Sequence, residues 1–338
     1  MAKLSIHIVT FNSRQFIKYC LDSLFKSDFN DYQVFVIDNN SCDGGLDFIK
    51  ENYLKEKKDK KLFLIQNKEN KGFTGAHNQA LNLTDSEFVL VLNPDTILES
   101  DFLTKMVGFM EKEKKVAAAT GKMLKARLKD FELEQVEKTN LIDTTGLKAL
   151  KSGRVLDRGE GEEDRDQYKS GQVFGVSGAC AFYKRKALEE VKMKNGNGYE
   201  YFDEDFFAYK EDIDLSWRLR LFGWKVKYFS NAKSYHFRAG SSLKNRFKKP
   251  ALIQKWSYRN NLWMLLKNSL FLCFMSRIFH VLWYEFCKKI YFLITRPILF
   301  FKTIISLLKK IKKMLKKRKY IMKNKKIDID DICSWFNN

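Results

Sequence analysis

From Lys3 to Thr120 the chain alternates two patterns of apolar residues. Uninterrupted runs within Lys3–Phe11 (SIHIVTF), Gln33–Asp38 (QVFVID), Lys61–Asn67 (KLFLIQN) and Glu87–Leu92 (EFVLVL) have the length and β-branched content of buried strands. Between them the spacing turns helical. Phe16, Ile17, Cys20, Leu21, Leu24 and Phe25 share one face of a segment, Ser13–Lys26, that Ser13 is placed to cap, and Leu46–Lys55 and Thr74–Leu83 are helical as well. Phe102–Glu113 and Val116–Thr120 add a further helix and strand. Strand–helix repeats with short connections predict an α/β fold: a mostly parallel, right-handed, Rossmann-like sheet with helices on both faces.

The carboxyl ends of these strands are polar: Thr10-Phe11-Asn12, Asp38-Asn39-Asn40-Ser41, Asn67 to Asn78, and Asn93-Pro94-Asp95. Any one of them is ordinary turn chemistry. Together, at the sheet edge where open parallel sheets bind ligands, they point to a site. Pro94 cannot continue a ladder, so the fourth strand ends at Leu92 and Asp95 stands just past it. Neither GxGxxG nor GxxxxGK[ST] occurs, which leaves dinucleotide and P-loop sites unsupported.

These segments carry a resemblance. VTFN, VIDNNSCDGG, NKGFTGAHNQAL and LNPD, in that order, resemble a family 2 glycosyltransferase with the GT-A fold. GACAFYKRKAL (Gly178–Leu188), FFAYKEDIDLSWRLRLFGWKV (Phe206–Val226) and YHFRAGSS (Tyr235–Ser242) resemble its rhamnosyltransferase-like branch. The likeness extends from about residue 3 to 242 and implies a GT-A domain there, with a nucleotide-binding half (1–120) and an acceptor-side half (121–242). It also implies inverting transfer from a nucleoside-diphosphate sugar, dTDP-rhamnose or a UDP-sugar, to a lipid-linked or other membrane-borne glycan in cell-envelope polysaccharide synthesis.

The resemblance gives roles to residues whose chemistry suits them. Asp38 can accept the imide N–H of a pyrimidine base, with Thr10, Phe11 and Asn12 lining the base pocket. Asn40 and Ser41 either touch the ligand or cap the helix from Leu46. Gly72 lets backbone approach a ligand next to Phe73, and Asn78 can reach the sugar or diphosphate. A family DxD has an acid at both ends; here Asn93 replaces the first, leaving Asp95. One carboxylate with donor phosphates and water can hold Mg²⁺ or Mn²⁺. His236 stands at the family's further ligand position, a buried structural histidine being the alternative. Asp212 is the implied catalytic base, with Glu211 its close rival, in an aromatic setting that raises carboxyl pKa values. Trp217 and Arg218 belong to the same wall, Arg218 bracing the acids or touching phosphate.

Composition adds one asymmetry. Of 338 residues 45% are hydrophobic, enough for a large core, and the formal net charge is +21. Between Lys244 and Lys326 there are 23 Lys and Arg against one acid, Glu285, so the remainder is nearly neutral. From Leu262 to Leu308 apolar residues are dense, but no uncharged stretch reaches the roughly 18 to 20 residues needed to span a bilayer. Lysines recur on one helical side and Pro297 divides the stretch into two helices. The prediction is a C-terminal amphipathic helical tail, 243–338, lying on an anionic membrane surface at the cytoplasmic face, peripheral or monotopic. The alternative is a helical subdomain packed on the body. A nucleic-acid-binding protein would use the same basic tail, but the neutral body with polar strand ends speaks against it, and no nucleic-acid partner is expected. A degenerate transferase serving as a scaffold is a further rival, motivated by Asn93. Leu124–Gln172, mixed in charge and rich in glycine, is expected to be a mobile acceptor-side loop with no site in GEGEEDRD. No secretory leader is evident at Met1, and six scattered cysteines without CxxC spacing suit free thiols in a reducing cytosol.

Overall fold

The computed structural model describes residues 2–130, 135–196, 198–238 and 250–337. The first part runs β1 (Leu4–Thr10), α1 (Arg14–Phe25), β2 (Tyr32–Asp38), α2 (Gly45–Asn52), α3 (Leu54–Lys58), β3 (Leu62–Gln66), α4 (Gly72–Leu83), β4 (Phe88–Leu92), β5 (Thr96–Leu98) and α5 (Phe102–Lys112). Next come β6 (Val116–Asp130), β7 (Gln135–Thr144), β8 (Leu147–Ala149), β9 (Val155–Asp157), β10 (Gly171–Gln172), β11 (Cys180–Lys184), α6 (Arg185–Val191), β12 (Met193–Asn195), β13 (Gly198–Glu200), α7 (Glu211–Leu221) and β14 (Lys225–His236). Helices α8 (Ala251–Asn268), α9 (Phe271–Met275), α10 (Ile278–Thr295), α11 (Pro297–Lys309), α12 (Ile311–Asn324) and α13 (Ile329–Ser334) follow.

The main sheet has the order β10-β14-β6-β11-β4-β1-β2-β3. Strands β3, β2, β1 and β4 are parallel neighbours, and β11 enters antiparallel between β4 and β6. Alternation along β4 shows how both faces are filled. Phe88, Leu90 and Leu92 enter a core shared with α1 and α5, while Val89 and Val91 enter one shared with α7 and α8. All five are fully buried, each contributing about 1.5–3 kcal/mol of transfer free energy.

Four expectations change. The helix expected over Leu46–Lys55 breaks at Tyr53, whose ring is buried and whose hydroxyl donates to Asp22, so the chain turns to seat it. The expected loop at Leu124–Gln172 is largely β-structure. Strands β6 and β7 pair antiparallel, their buried positions Leu124, Ala126 and Ile142 concealed in sequence by charged residues on the exposed face. Its acids are engaged too: Asp164 and Asp166 pair with the buried Lys122. Cys273 and Cys333 form a disulfide in place of free thiols, because the packing of α9 on α13 brings Cα atoms 60 residues apart in sequence to 5.2 Å.

The fourth change concerns the tail. Trp263 and Met264 of α8, Met314 and Ile321 of α12, and Ile332 and Phe336 at the C-terminal end join the core that contains Trp217. The Phe336 ring lies 4.9 Å from that of Trp217 and 5.3 Å from that of Phe174. The expected boundary near Ser242 lies outside the described residues, as do the glycine and serines of YHFRAGSS. Pro297 does divide two helices, at the first position of α11, where its missing N–H costs nothing.

Candidate active site

Strands β1 and β2 are in register from Leu4↔Tyr32 to Thr10↔Asp38, so their polar ends meet. The buried Asp38 carboxylate accepts from the Thr10 hydroxyl at 3.0 Å, the Ser41 hydroxyl and the Ser41 N–H at 3.0 Å. Oδ2 takes only the amide among these and keeps acceptor capacity. The Asn12 side chain accepts from Cys42 N–H at 2.9 Å and the Asn12 N–H donates to Ser41 Oγ at 3.0 Å, lacing the two loops together. Asn12 (φ 53°) and Asn40 (φ 64°) are left-handed, a conformation asparagine tolerates. Phe11 is half exposed beside them. Neither Asn40 nor Ser41 caps the next helix: its N-cap is Gly44, and Asp43 accepts from Gly45 and Arg14 N–H.

Gly72 (φ 71°) opens α4 where a Cβ would lie 2.5 Å from the Phe207 carbonyl, so only glycine lets the two loops approach. Phe73 packs against His77 and Phe202. The Asn78 amide departs from its expected role. It donates to Phe202 O and Glu204 Oε1 and accepts from Tyr201 and Phe202 N–H, so both donors and the acceptor are taken up in bracing that loop.

The fold explains how Asp95 meets His236. Past Pro94 the chain continues as β5, which pairs antiparallel with β14 with Thr96 opposite His236. Asp95 Oδ1 lies 3.0 Å from His236 Nε2, and His236 Nδ1 lies 2.9 Å from Asp143 Oδ2. Burial alone would lower the imidazole pKa; the Asp95 charge and hydrogen bonds to Asp143 and Asp95 raise it to about 10. Beyond Asp143 stands Arg238, ion-paired with Asp143, Asp157 and Glu160. Burial pushes the Asp157 carboxyl up to about 6 despite Arg238, with further repulsion from Asp143, Glu160 and Asp212. Asp143 on Nδ1 orients the ring, and a divalent ion taking the place of the Nε2 proton would find Asp95 and His236 as two adjacent ligands with Asp143 behind them. Among the described residues no group of three His, Cys, Asp or Glu is placed to hold a metal ion.

The acids of α7 divide. Asp214 is buried and bound by Arg218, Lys267 and Asn268. Arg218 also donates to Val191 and Tyr201 carbonyls, so it braces the fold. Asp212, half-buried, accepts from Gly178 N–H at 3.0 Å and Ile213 N–H at 2.8 Å, and burial raises its pKa. Glu211 is buried, and burial together with the neighbouring Asp212 charge pushes it up to about 8. The next residue after Gly178, Ala179, accepts from Asn93 N–H at 2.9 Å, so consecutive residues tie Asp212 and the Asn93-Pro94-Asp95 turn to the entry of β11.

The segment before α7 is held against its preferences. Phe207, Tyr209 and Lys210 all have positive φ, a conformation costing about 1–3 kcal/mol per non-glycine residue. Asn260 of α8, fully buried, donates through Nδ2 to the carbonyls of Phe206, Ala208 and Tyr209 at 2.8–2.9 Å. Sequence reasoning missed Asn260, Asp143 and Asp157; Arg238 was inside a quoted motif without a role. A lone Asp directly after the apolar pair Leu141-Ile142 was the available signal for Asp143.

The chain matches the description Glycosyl transferase family 2 over residues 5–192, more than half its length, and it belongs to that family. It is 24% identical over 225 residues to a poly-β-1,6-N-acetyl-D-glucosamine synthase of Staphylococcus epidermidis, covering 67% of this chain and 47% of the relative. The chain thus spans about half the length of the curated relatives it matches. Staphylococcus aureus TarS in complex with UDP-GlcNAc shares the fold at a TM-score of 0.52 and 19% identity, over 79% of this chain and 68% of that one. A Pyrobaculum calidifontis mannosyltransferase in complex with GDP-Man and Mn²⁺ does so at 0.51 and 15% identity, over 91% and 87%.

Proposed function

We propose that this protein transfers a sugar, with inversion, from a nucleoside-diphosphate donor to a lipid-linked or other membrane-borne glycan at the cytoplasmic face of a membrane. The observation that carries the chemistry is the pair of ties at the consecutive residues Gly178 and Ala179, one to Asp212 and one to the Asn93-Pro94-Asp95 turn. Thr10, Phe11, Asn12 and Asp38 take the base, Asp38 accepting the imide N–H through Oδ2 while Phe11 offers a ring face. Asp95 and His236 would hold Mg²⁺ or Mn²⁺, and the ion would supply positive charge to the donor's diphosphate. Asp212 accepts the acceptor hydroxyl proton as its oxygen bonds to the anomeric carbon and the bond to the diphosphate breaks, the electron pair leaving with the nucleotide. Its partial exposure favours it over the buried Glu211. A pyrimidine donor, dTDP-rhamnose or a UDP-sugar, is favoured by the branch resemblance; TarS carries UDP-GlcNAc.

A panel of dTDP-, UDP- and GDP-sugars with Mn²⁺ or Mg²⁺, scored for slow donor hydrolysis, tests this without an acceptor. Hydrolysis of one donor class, dependent on metal and abolished in Asp95→Ala, is expected. Nucleotide binding with no hydrolysis or transfer for any donor would make the chain a scaffold instead.

A further inference from the structure

Helices α10 and α11 leave a broad apolar face uncovered. On α10, Phe279, Trp283, Phe286, Ile290 and Ile294 are exposed, Phe279 at 84% and Ile294 at 74%, and their spacing puts them on one side. On α11, Ile298, Phe301, Ile305 and Leu308 repeat the pattern. Their opposite sides are already seated on α8. Phe292 stacks on Tyr258 at 5.1 Å, Glu285 accepts from Asn261 at 3.3 Å, and Ser306 accepts from Arg259 at 3.3 Å. The face is therefore held outward by contacts on the inner side, and a patch of this extent marks an interaction surface.

We propose that this face docks on an anionic lipid bilayer, with α10 and α11 lying in its interface. Charge selects the occupant. Lys289, Lys302 and Lys309 are exposed beside the apolar stripe, and Glu285, the sole acid from Lys244 to Lys326, is turned inward and buried. An anionic leaflet complements that border, whereas a second copy related by a two-fold axis would bring lysines against lysines. Among the described residues no helix is long and apolar enough to cross a membrane. The inference narrows the membrane element to α10 and α11, since α8, α12 and α13 are packed into the body. It also connects the bilayer to the chemistry. On α8, Tyr258, Arg259 and Asn261 receive the two docking helices, while Arg259 and Asn260 hold the carbonyls of Asp205 to Tyr209 just before Glu211. This deepens the proposed function by placing the acceptor in that bilayer, and its test does not depend on turnover.

Flotation of the full-length chain with phosphatidylcholine vesicles, with and without phosphatidylglycerol, tests it, alongside a Phe279→Ser/Trp283→Ser/Ile298→Ser variant. The wild type is expected to float at least tenfold more with anionic vesicles and to be only partly released by 1 M salt, while the variant falls to the neutral-vesicle level with donor hydrolysis unchanged. Equal flotation of both proteins, or none by either, overturns the docking face while leaving the transferase reading to the donor panel. A dimer in solution that the variant abolishes makes a second copy the occupant, and carbonate resistance with a protease-protected segment makes the helices spanning; either result overturns the proposal.

Discussion

The segment from Asp203 to Asp214 contains two kinds of acid, and the difference lies in what the C-terminal helices bring to each. Asp203, Asp205 and Asp214 are met by Lys267 from α8 and by Lys310, Lys313 and Lys317 at and within α12. Burial alone would raise the pKa of Asp203, yet Lys267 and Lys317 bring it far below the carboxylate range; Asp205 is lowered in the same way by Lys317. At Glu211 and Asp212 the neighbouring Lys210 charge lowers both carboxyls, but burial outweighs it. Asp212 accepts from backbone N–H groups, Glu211 Oε2 is buried without a hydrogen-bond partner among the described residues, and both carboxyls are raised. A neutralised acid is a brace, since its charge is already committed. An acid whose burial outweighs the cation beside it keeps the basicity that proton transfer needs.

The sharpest way to break the contrast is to remove a brace. Lys317, buried among Glu200, Asp203 and Asp205, is expected to cost about 3–5 kcal/mol when replaced by Met, because three buried carboxylates lose the cation they share, although Asp203 keeps Lys267 and Asp205 keeps Lys310 and Lys313. Urea unfolding checks this, and a loss below 1 kcal/mol would mean that the ion cluster is not a brace. Next is the clamp on the strained loop. Asn260→Asp keeps shape but removes both donors facing three carbonyls, so turnover should fall about 10- to 100-fold while donor Kd stays within a factor of about two. Unchanged turnover in a folded variant would remove Asn260 from the positioning of the acids.

The two kinds of acid should also give opposite pH slopes. Asp203, with its depressed pKa, supports the fold above the unfolded value and loses that support as pH falls. Glu211, raised from 4.5 to about 8, works the other way: the unfolded chain ionises first, so stability declines as pH rises from about 4.5 to 8. Glu211→Gln should remove that decline, making the variant progressively more stable than the wild type between pH 5 and 8. Parallel stability curves across that range would show that Glu211 is ionised in the fold.

Much of this was legible in the chain because strand periodicity is a local signal. The run EFVLVL closed by Asn93-Pro94-Asp95 announced a buried strand and a carboxylate past its end, and β4 ends at Leu92. What failed was long-range. Asp143 reaches His236 only because β7 folds back on β6, which itself pairs with β14. The lysines of α12 looked like a solvated or membrane-facing row, since the acids that bind Lys317 lie more than 100 residues earlier. The apolar residues of α8 and α10 are alike in type, and only packing separates Trp263, fully buried, from Trp283, 69% exposed.

The central claim is that Asp212 takes the proton. Donor binding by calorimetry and donor hydrolysis, measured in the same preparation of wild type and Asp212→Asn with Mn²⁺, test it most directly. The substitution keeps shape and removes basicity, so nucleotide-sugar affinity should stay nearly intact while hydrolysis falls about 100-fold or more. Wild-type hydrolysis by Asp212→Asn, together with an inactive Glu211→Gln, would move the base one residue back, and full activity in both variants would contradict the account.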